Sequence, residues 1–228
     1  MRKALRFPRG LYGVTPEWDD TRRLVSAVRE ATAGGMRALQ LRRKTAIDSS
    51  RAVQARELAA VCRDLSVVFI INDHWQLALD VGADGVHVGR DDANVADIQA
   101  QAGPDFLIGA SCYNDLNRAK TLLERNVDYI AFGAVFPSQT KPDAVHAPLS
   151  VITKACQLAE SRDVPCPAVV AIGGITPNNA AQVVDSGADS IAVITGLFDA
   201  HGIRGAAQRY AAAFTVQPYQ HYFGHHAS

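Results

Sequence analysis

The sequence predicts an α/β chain folded as a single-domain (β/α)8, or TIM, barrel, and three observations carry that prediction. Short apolar runs alternate with longer helical patterns along all 228 residues, eight of each. Strict βα alternation implies a parallel sheet, and eight units in this length suit a closed barrel. Polar residues and glycines crowd the C-terminal ends of the strand runs, while the other ends carry mostly helix-stop glycines. An open doubly wound sheet is the alternative for the same alternation.

The elements follow in order. Residues 10–14 read as the first strand, and 19–33 as a helix with Asp19 or Asp20 near its cap. Residues 38–42 form the second strand. Side chains alternate along a strand, so Leu39 and Leu41 face one way, and Gln40, Arg42 and Lys44 the other. A helix follows from about 49 to 64. Residues 67–71 are a continuous apolar, β-branched run, as in a strand buried on both faces. Further strands are expected at 84–88, 107–110, 129–132, 168–172 and 190–194. Helical patterns near 74–81, 93–101, 114–125, 148–161, 177–186 and 203–214 separate and follow them. The turn Gly82-Ala83-Asp84 recurs as Gly187-Ala188-Asp189, which hints at similar half-barrels.

Composition narrows the function. Lys plus Arg equals Asp plus Glu at 23 each, without the basic excess of a phosphate-backbone binder. No apolar run reaches bilayer-spanning length, and the basic N-terminus lacks the apolar core of a signal peptide. Four cysteines without CxxC spacing point to reduced thiols in a cytoplasmic protein. Residues 1–216 are expected to form the barrel, and 217–228, rich in His and Tyr, a peripheral C-terminal extension.

Barrel chemistry belongs at the C-terminal strand ends. There the chain places Gln40, Arg42 and Lys44 after strand 2, Asn72 and Asp73 after strand 3, and His87 through Asp92 after strand 4. Ser111 follows strand 5, and a loop with Ser138, Thr140 and Lys141 follows strand 6. Gly173-Gly174 and Thr195-Gly196 follow strands 7 and 8, where backbone N–H groups of this fold usually cradle phosphate. A tight turn also explains such glycines. Arg42, Lys44 and Lys141 make a second anion site. Asp73 and Asp92 either pair with those cations or hold a hard divalent ion beside a diphosphate. His87 reads equally as a hydrogen-bonded core residue.

In combination these motifs resemble the thiamine-phosphate synthase family: Q-L-R-R-K at 40–44, N-D at 72–73, H-V-G-R-D-D at 87–92, Ser111, F-P-S-Q-T-K at 136–141, I-G-G-I at 172–175 and V-I-T at 193–195. The resemblance runs from about Leu11 to Phe198. It implies a transferase of thiamine biosynthesis that joins 4-amino-2-methyl-5-(diphosphooxymethyl)pyrimidine to thiazole phosphate, releasing diphosphate in a dissociative, Mg2+-assisted substitution. It implies that Gln40, Arg42, Lys44, Asn72, Ser111 and Lys141 bind the pyrimidine diphosphate, with Arg42, Lys44 and Lys141 as catalytic cations. Asp73 and Asp92 would hold Mg2+, and Ser138, Thr140, Gly174, Ile194 and Thr195 would meet the thiazole phosphate. The segment 43–50 is expected to close over the site. The expected partners are the two substrates, with neither nucleic acid nor membrane, and a homodimer is compatible with the pattern. His74 and Cys112-Tyr113 depart from the family's usual residues. A related thiazole tautomerase and a non-catalytic phosphometabolite-binding barrel are the alternatives.

Overall fold

The computed structural model describes residues 4–90, 94–137, 145–162 and 165–215. Eight parallel strands close into a barrel in sequence order, with the eighth pairing back on the first. They are β1 (Gly10–Val14), β2 (Met36–Leu41), β3 (Val68–Asn72), β4 (Gly85–Val88), β5 (Leu107–Tyr113), β6 (Tyr129–Phe132), β7 (Ala168–Ile172) and β8 (Ser190–Val193). The helices among the described residues are α1 (Thr21–Ala33), α2 (Asp48–Leu65), α3 (Trp75–Val81), α4 (Val95–Ala102), α5 (Leu116–Glu124), α6 (Leu149–Glu160), α7 (Ala180–Asp185), α8 (Thr195–Phe198) and α9 (Ile203–Ala212). The closed (β/α)8 barrel replaces the open-sheet alternative.

Alternation sorts every strand into two sets. Leu39, Leu41, Phe69, Ile71, Val86, Val88, Ile130 and Phe132 point outward into the large core beneath the helices. Tyr12, Val14, Ala38, Ile70, Tyr129, Ala131, Val170 and Ala192 fill a second, smaller core inside the barrel. Both faces of each strand are thus buried, which is why the strands read as near-continuous apolar runs. Phe7 plugs the N-terminal end of that inner core, its ring 4.2 Å from that of Tyr129 and 5.0 Å from that of Tyr12.

Local chemistry sets the helix ends. Asp20 is the N-cap of α1, accepting from the Arg23 N–H at 3.0 Å, and Asp115 caps α5 in the same way. Gly34 ends α1 where α9 crosses it: an added Cβ there would collide with Arg204 O and Ala207 Cβ. The expected Asp turns have a second role. Asp84, Asp128 and Asp189 sit just before or at the start of β4, β6 and β8. Each carboxylate accepts a backbone N–H from the preceding strand: Phe69 at 2.7 Å, Ile108 at 2.7 Å and Val169 at 3.0 Å. The half-barrel hint from two Gly-Ala-Asp turns is therefore one instance of a device repeated on alternate strands.

Most bounds shift by a residue or a few, and three differences have a structural reason. β2 starts earlier and stops at Leu41, so Arg42 and Lys44 lie beyond the strand in the following turn. β5 runs on to Tyr113 because a bulge between Ser111 and Tyr113 lets it keep pairing with Phe132 of β6. A four-residue helix, α8, follows β8 where a loop was expected. It is too short to show periodicity, but it buries Leu197 and Phe198.

Candidate active site

At the C-terminal mouth, the inward set turns polar. Gln40 on β2, Asn72 on β3, His87 on β4 and Ser111 on β5 follow one another around the barrel, in positions where a lower layer would be apolar. Gln40, Asn72 and His87 are buried and Ser111 is half-buried. A buried polar group without a partner is costly, so the bonds of Gln40, His87 and Ser111 can be followed one by one. Gln40 Nε2 donates to the Tyr12 hydroxyl at 2.7 Å. Tyr12 and Tyr129 hydroxyls lie 2.9 Å apart. The Tyr129 hydroxyl is 3.0 Å from His87 Nδ1, and His87 Nε2 is 2.8 Å from Ser111 Oγ. One continuous chain of hydrogen bonds thus crosses the interior from β2 to β5. Burial pushes both tyrosine hydroxyls up from their ordinary pKa, outweighing the hydrogen bonds around Tyr12, so both stay protonated.

Gly109 makes room for this chain. It pairs with Tyr129 across β5 and β6, and the tyrosine ring occupies the space where a side chain at 109 would go. The His87 ring stacks on the same tyrosine at 5.5 Å between centroids.

Above this layer sit the charged groups. Arg42 Nη1 lies 3.7 Å from Glu17 Oε1, and Lys44 Nζ lies 3.6 Å from Asp73 Oδ2. The Asp73 side chain is 20% exposed and the Lys44 side chain 51%, so this pair opens on the mouth rather than the core. Asp73 has φ +64°, a left-handed conformation that Asp tolerates better than most residues, and its N–H is tied to the His87 carbonyl at 2.9 Å. The end of β3 therefore aims Asp73 by backbone bonding to β4. Among the described residues no group of three or more His, Cys, Asp or Glu side chains is placed to hold a metal. Asp92, Ser138, Thr140 and Lys141 lie outside the described residues.

The other half of the mouth is backbone. Gly173 and Gly174 have φ of +101° and +64°, and a Cβ on Gly174 would press within 3.0 Å of the Phe136 and Pro137 carbonyls. Phe136 N–H donates to Gly173 O at 3.1 Å, so the loops after β6 and β7 are joined there. Asn179 locks the same turn: its Nδ2 donates to Gly174 O at 3.1 Å and its Oδ1 accepts from Thr176 N–H at 2.7 Å. Ile194 and Thr195 lead from β8 into α8 beside it.

Sequence reasoning missed several residues that hold these parts in place. Glu17 accepts from Lys44 N–H at 2.9 Å and from the Thr45 hydroxyl at 2.9 Å. Burial works against its charge, yet those bonds and the nearby Arg43 guanidinium hold its carboxyl below the ordinary value. Arg51 donates to the Arg43 and Ala46 carbonyls. The segment expected to close over the site is therefore tethered from both sides, with Ile47 70% exposed at its tip. Arg118 donates to Ser111 O at 2.7 Å and Gly89 O at 2.9 Å, tying the loop after β4 to β5. Tyr12 and Tyr129 could have been flagged in sequence as hydroxyls at inward strand positions. The other contacts depend on pairings distant in sequence.

The geometry agrees with three comparisons. The family model for thiamine monophosphate synthase matches residues 11–197. The thiamine-phosphate synthase of Bordetella pertussis is 63% identical over 216 residues, covering 95% of this chain and all of the relative. That of Thiobacillus denitrificans is 46% identical over 212 residues, covering 93% and 98%. The solved thiamine phosphate pyrophosphorylase from Pyrococcus furiosus superposes with a TM-score of 0.78 at 33% identity, covering 92% of this chain and 97% of that one.

Proposed function

The chain belongs to the thiamine monophosphate synthase family, and from that premise we propose how its barrel mouth carries out the coupling. The enzyme is a transferase that joins the aminopyrimidine diphosphate to the thiazole phosphate, giving thiamine phosphate and diphosphate. The observation that carries the assignment to this mouth is its division. A buried amide, Gln40, lies beneath a cation–carboxylate rim of Arg42, Lys44 and Asp73, and a glycine turn at 173–174 stands apart from them beside Thr195.

In this reading Gln40, Asn72 and Ser111 hold the pyrimidine diphosphate, with Arg42, Lys44 and Lys141 on its phosphates. The Gly174 turn with Ile194 and Thr195, and Ser138 and Thr140 from the loop after β6, receive the thiazole phosphate. The bond between the pyrimidine methylene carbon and the diphosphate oxygen breaks, and the electron pair leaves with diphosphate. The thiazole nitrogen then gives its lone pair to that carbon. No side-chain nucleophile is needed. Arg42, Lys44 and Lys141 stabilise the charge that develops on the leaving group, and the two sub-sites align the rings. Lys44 exchanges its present partner, Asp73, for phosphate oxygens.

The donor chemistry at Asp73 fits Mg2+, a hard cation that takes one or two carboxylates together with waters and phosphate oxygens. Asp73 and Asp92 would hold it, and when bound it supplies further charge neutralisation to the diphosphate. The barrel is read as cytoplasmic; among the described residues no helix is long and apolar enough to cross a membrane. The segment 217–228, expected to be a C-terminal extension, lies outside the described residues.

Mixing the chain with both heterocycles and Mg2+, then looking for thiamine phosphate, tests the reading. Product formation that needs both substrates supports it. A proton shift of the thiazole alone points to the tautomerase. Binding of either ligand without turnover points to a sensor barrel.

A further inference from the structure

The hydrogen-bond chain beneath the mouth touches two residues assigned above to the pyrimidine diphosphate, one at each end. Its polarity follows from counting protons. Gln40 Nε2 donates to Tyr12, and either tyrosine hydroxyl can donate across the 2.9 Å between them; Tyr12 donating on to Tyr129 is the arrangement in which every proton of the chain meets one of these acceptors. The Tyr129 oxygen then accepts, and its proton goes to His87 Nδ1. With Nδ1 accepting, the imidazole proton sits on Nε2 and is donated to Ser111 Oγ. Ser111 is left with its own proton to give to the mouth, and Gln40 with its carbonyl oxygen.

We propose that the chain Gln40–Tyr12–Tyr129–His87–Ser111 is a hydrogen-bond relay of fixed direction that makes Gln40 an acceptor and Ser111 a donor at the mouth, and so selects a pyrimidine bearing an amino group over one bearing an oxo group. Tyr12, Tyr129 and His87 are positioning residues for that selection. The inference rests on the synthase reading for the identity of the ligand, but the direction of the relay does not.

A ligand seated with its amine at Gln40 and its diphosphate at Ser111, as the proposal takes it, would match this direction at both ends. Diphosphate oxygens can only accept, so a serine beside them is useful when its proton faces them. An exocyclic amine can only donate at neutral pH and needs the Gln40 oxygen. The reverse direction would turn the Gln40 N–H groups toward the amine and leave Ser111 with lone pairs facing an anion. An oxo analogue sets its carbonyl against the Gln40 oxygen. Rotating the amide to suit it would require every proton in the relay to reverse. The relay resists that because its two tyrosine hydroxyls are buried and protonated, so water cannot readily re-satisfy them. Sites built to match one donor pattern reject the opposite one strongly, because buried polar groups are left unpaired.

Two measurements test this. The first is nitrogen-15 NMR of the histidine-labelled full chain, alone and with inorganic diphosphate, with His87 assigned by His87→Gln. The expected result is a neutral ring with its proton on Nε2 in both states; a proton on Nδ1 overturns the relay direction. This measurement needs no pyrimidine, so it stands or falls separately from the coupling assay that decides the synthase reading. The second is competition by the 4-amino and 4-oxo pyrimidine diphosphates against wild type, Tyr12→Phe and Tyr129→Phe. Wild type should prefer the amino compound by roughly 100-fold or more. Each variant should lower that preference by about tenfold, a typical consequence of freeing one buried partner, while thiazole phosphate binding stays within about twofold. Tyr129→Phe is the sharper case. Its lost hydroxyl lies one step away from the Gln40–Tyr12 bond, yet it frees Tyr12 to donate back to Gln40 and turn the amide round. A variant that weakens both pyrimidines equally, with the ratio intact, shows a merely structural role and overturns the proposal. If Tyr129→Phe does not fold, Tyr12→Phe and the wild-type NMR still decide it.

Discussion

Gly109→Ala would disturb the centre of the barrel without altering a polar group. An added Cβ would lie inside the Tyr129 ring, with three ring atoms closer than the 3.0 Å that real Cβ atoms essentially never cross. The ring cannot swing away, because Phe7, Tyr12 and His87 surround it with centroids at 4.2, 6.0 and 5.5 Å. Either β5 moves outward or Tyr129 leaves its rotamer. Overpacking of this kind costs about 1–3 kcal/mol. Displacing the Tyr129 hydroxyl also loosens two buried hydrogen bonds, at about 1 kcal/mol each. The sum, about 3–5 kcal/mol, corresponds to roughly 10 °C in Tm for a domain of this size. Thermal unfolding followed by circular dichroism measures it, with Gly202→Ala as control, since Gly202 has open space and an ordinary φ of −146°. A Gly109→Ala protein that melts within about 2 °C of wild type, below the shift expected for 1 kcal/mol, would show that the tyrosine layer is not packed as described.

Thr195→Val should weaken thiazole-phosphate binding more than pyrimidine-diphosphate binding, because in the proposed reading the 173–174 turn and Thr195 are a cradle apart from Arg42 and Lys44; equal losses in titration would merge the two sites. Magnesium should bind weakly to the free protein and tightly with the pyrimidine diphosphate present, and Asp73→Ala should abolish that mutual enhancement, as calorimetry can read; a mutant retaining it removes Asp73 from the metal site. Glu17 has a folded-state pKa below its ordinary value, so its contribution is present above that ordinary value and is lost as pH falls through the folded one. Residues 43–47 should therefore exchange amide hydrogens faster on acidification through that window, and Glu17→Gln should exchange fast at every pH; matching acid profiles for both proteins would discard the tether.

The sequence by itself determined the barrel and put Gln40, Asn72 and Ser111 at strand ends on its mouth. Periodicity is a local property, and strands buried on both faces leave apolar runs that turn residues punctuate, so 129–132 and 168–172 were readable to the residue. Gln40, Asn72 and Ser111 were legible because strand order and alternation fix which side chains end up at an inward rim. The tertiary structure alone decided where strands end and what buried polar groups bond to. β2 stops at Leu41 because Thr15 takes over the Arg42 N–H, so the cations stand on a turn rather than a strand. β5 extends because of a bulge against β6, which no local propensity announces. Tyr12, His87 and Tyr129 are separated by 42 residues or more, and only barrel closure and register bring their polar atoms within 3.0 Å. His87, equally a core residue or a functional one in sequence, is hydrogen-bonded in the core and reaches the mouth through Ser111, because a closed barrel places the two on the same inner wall.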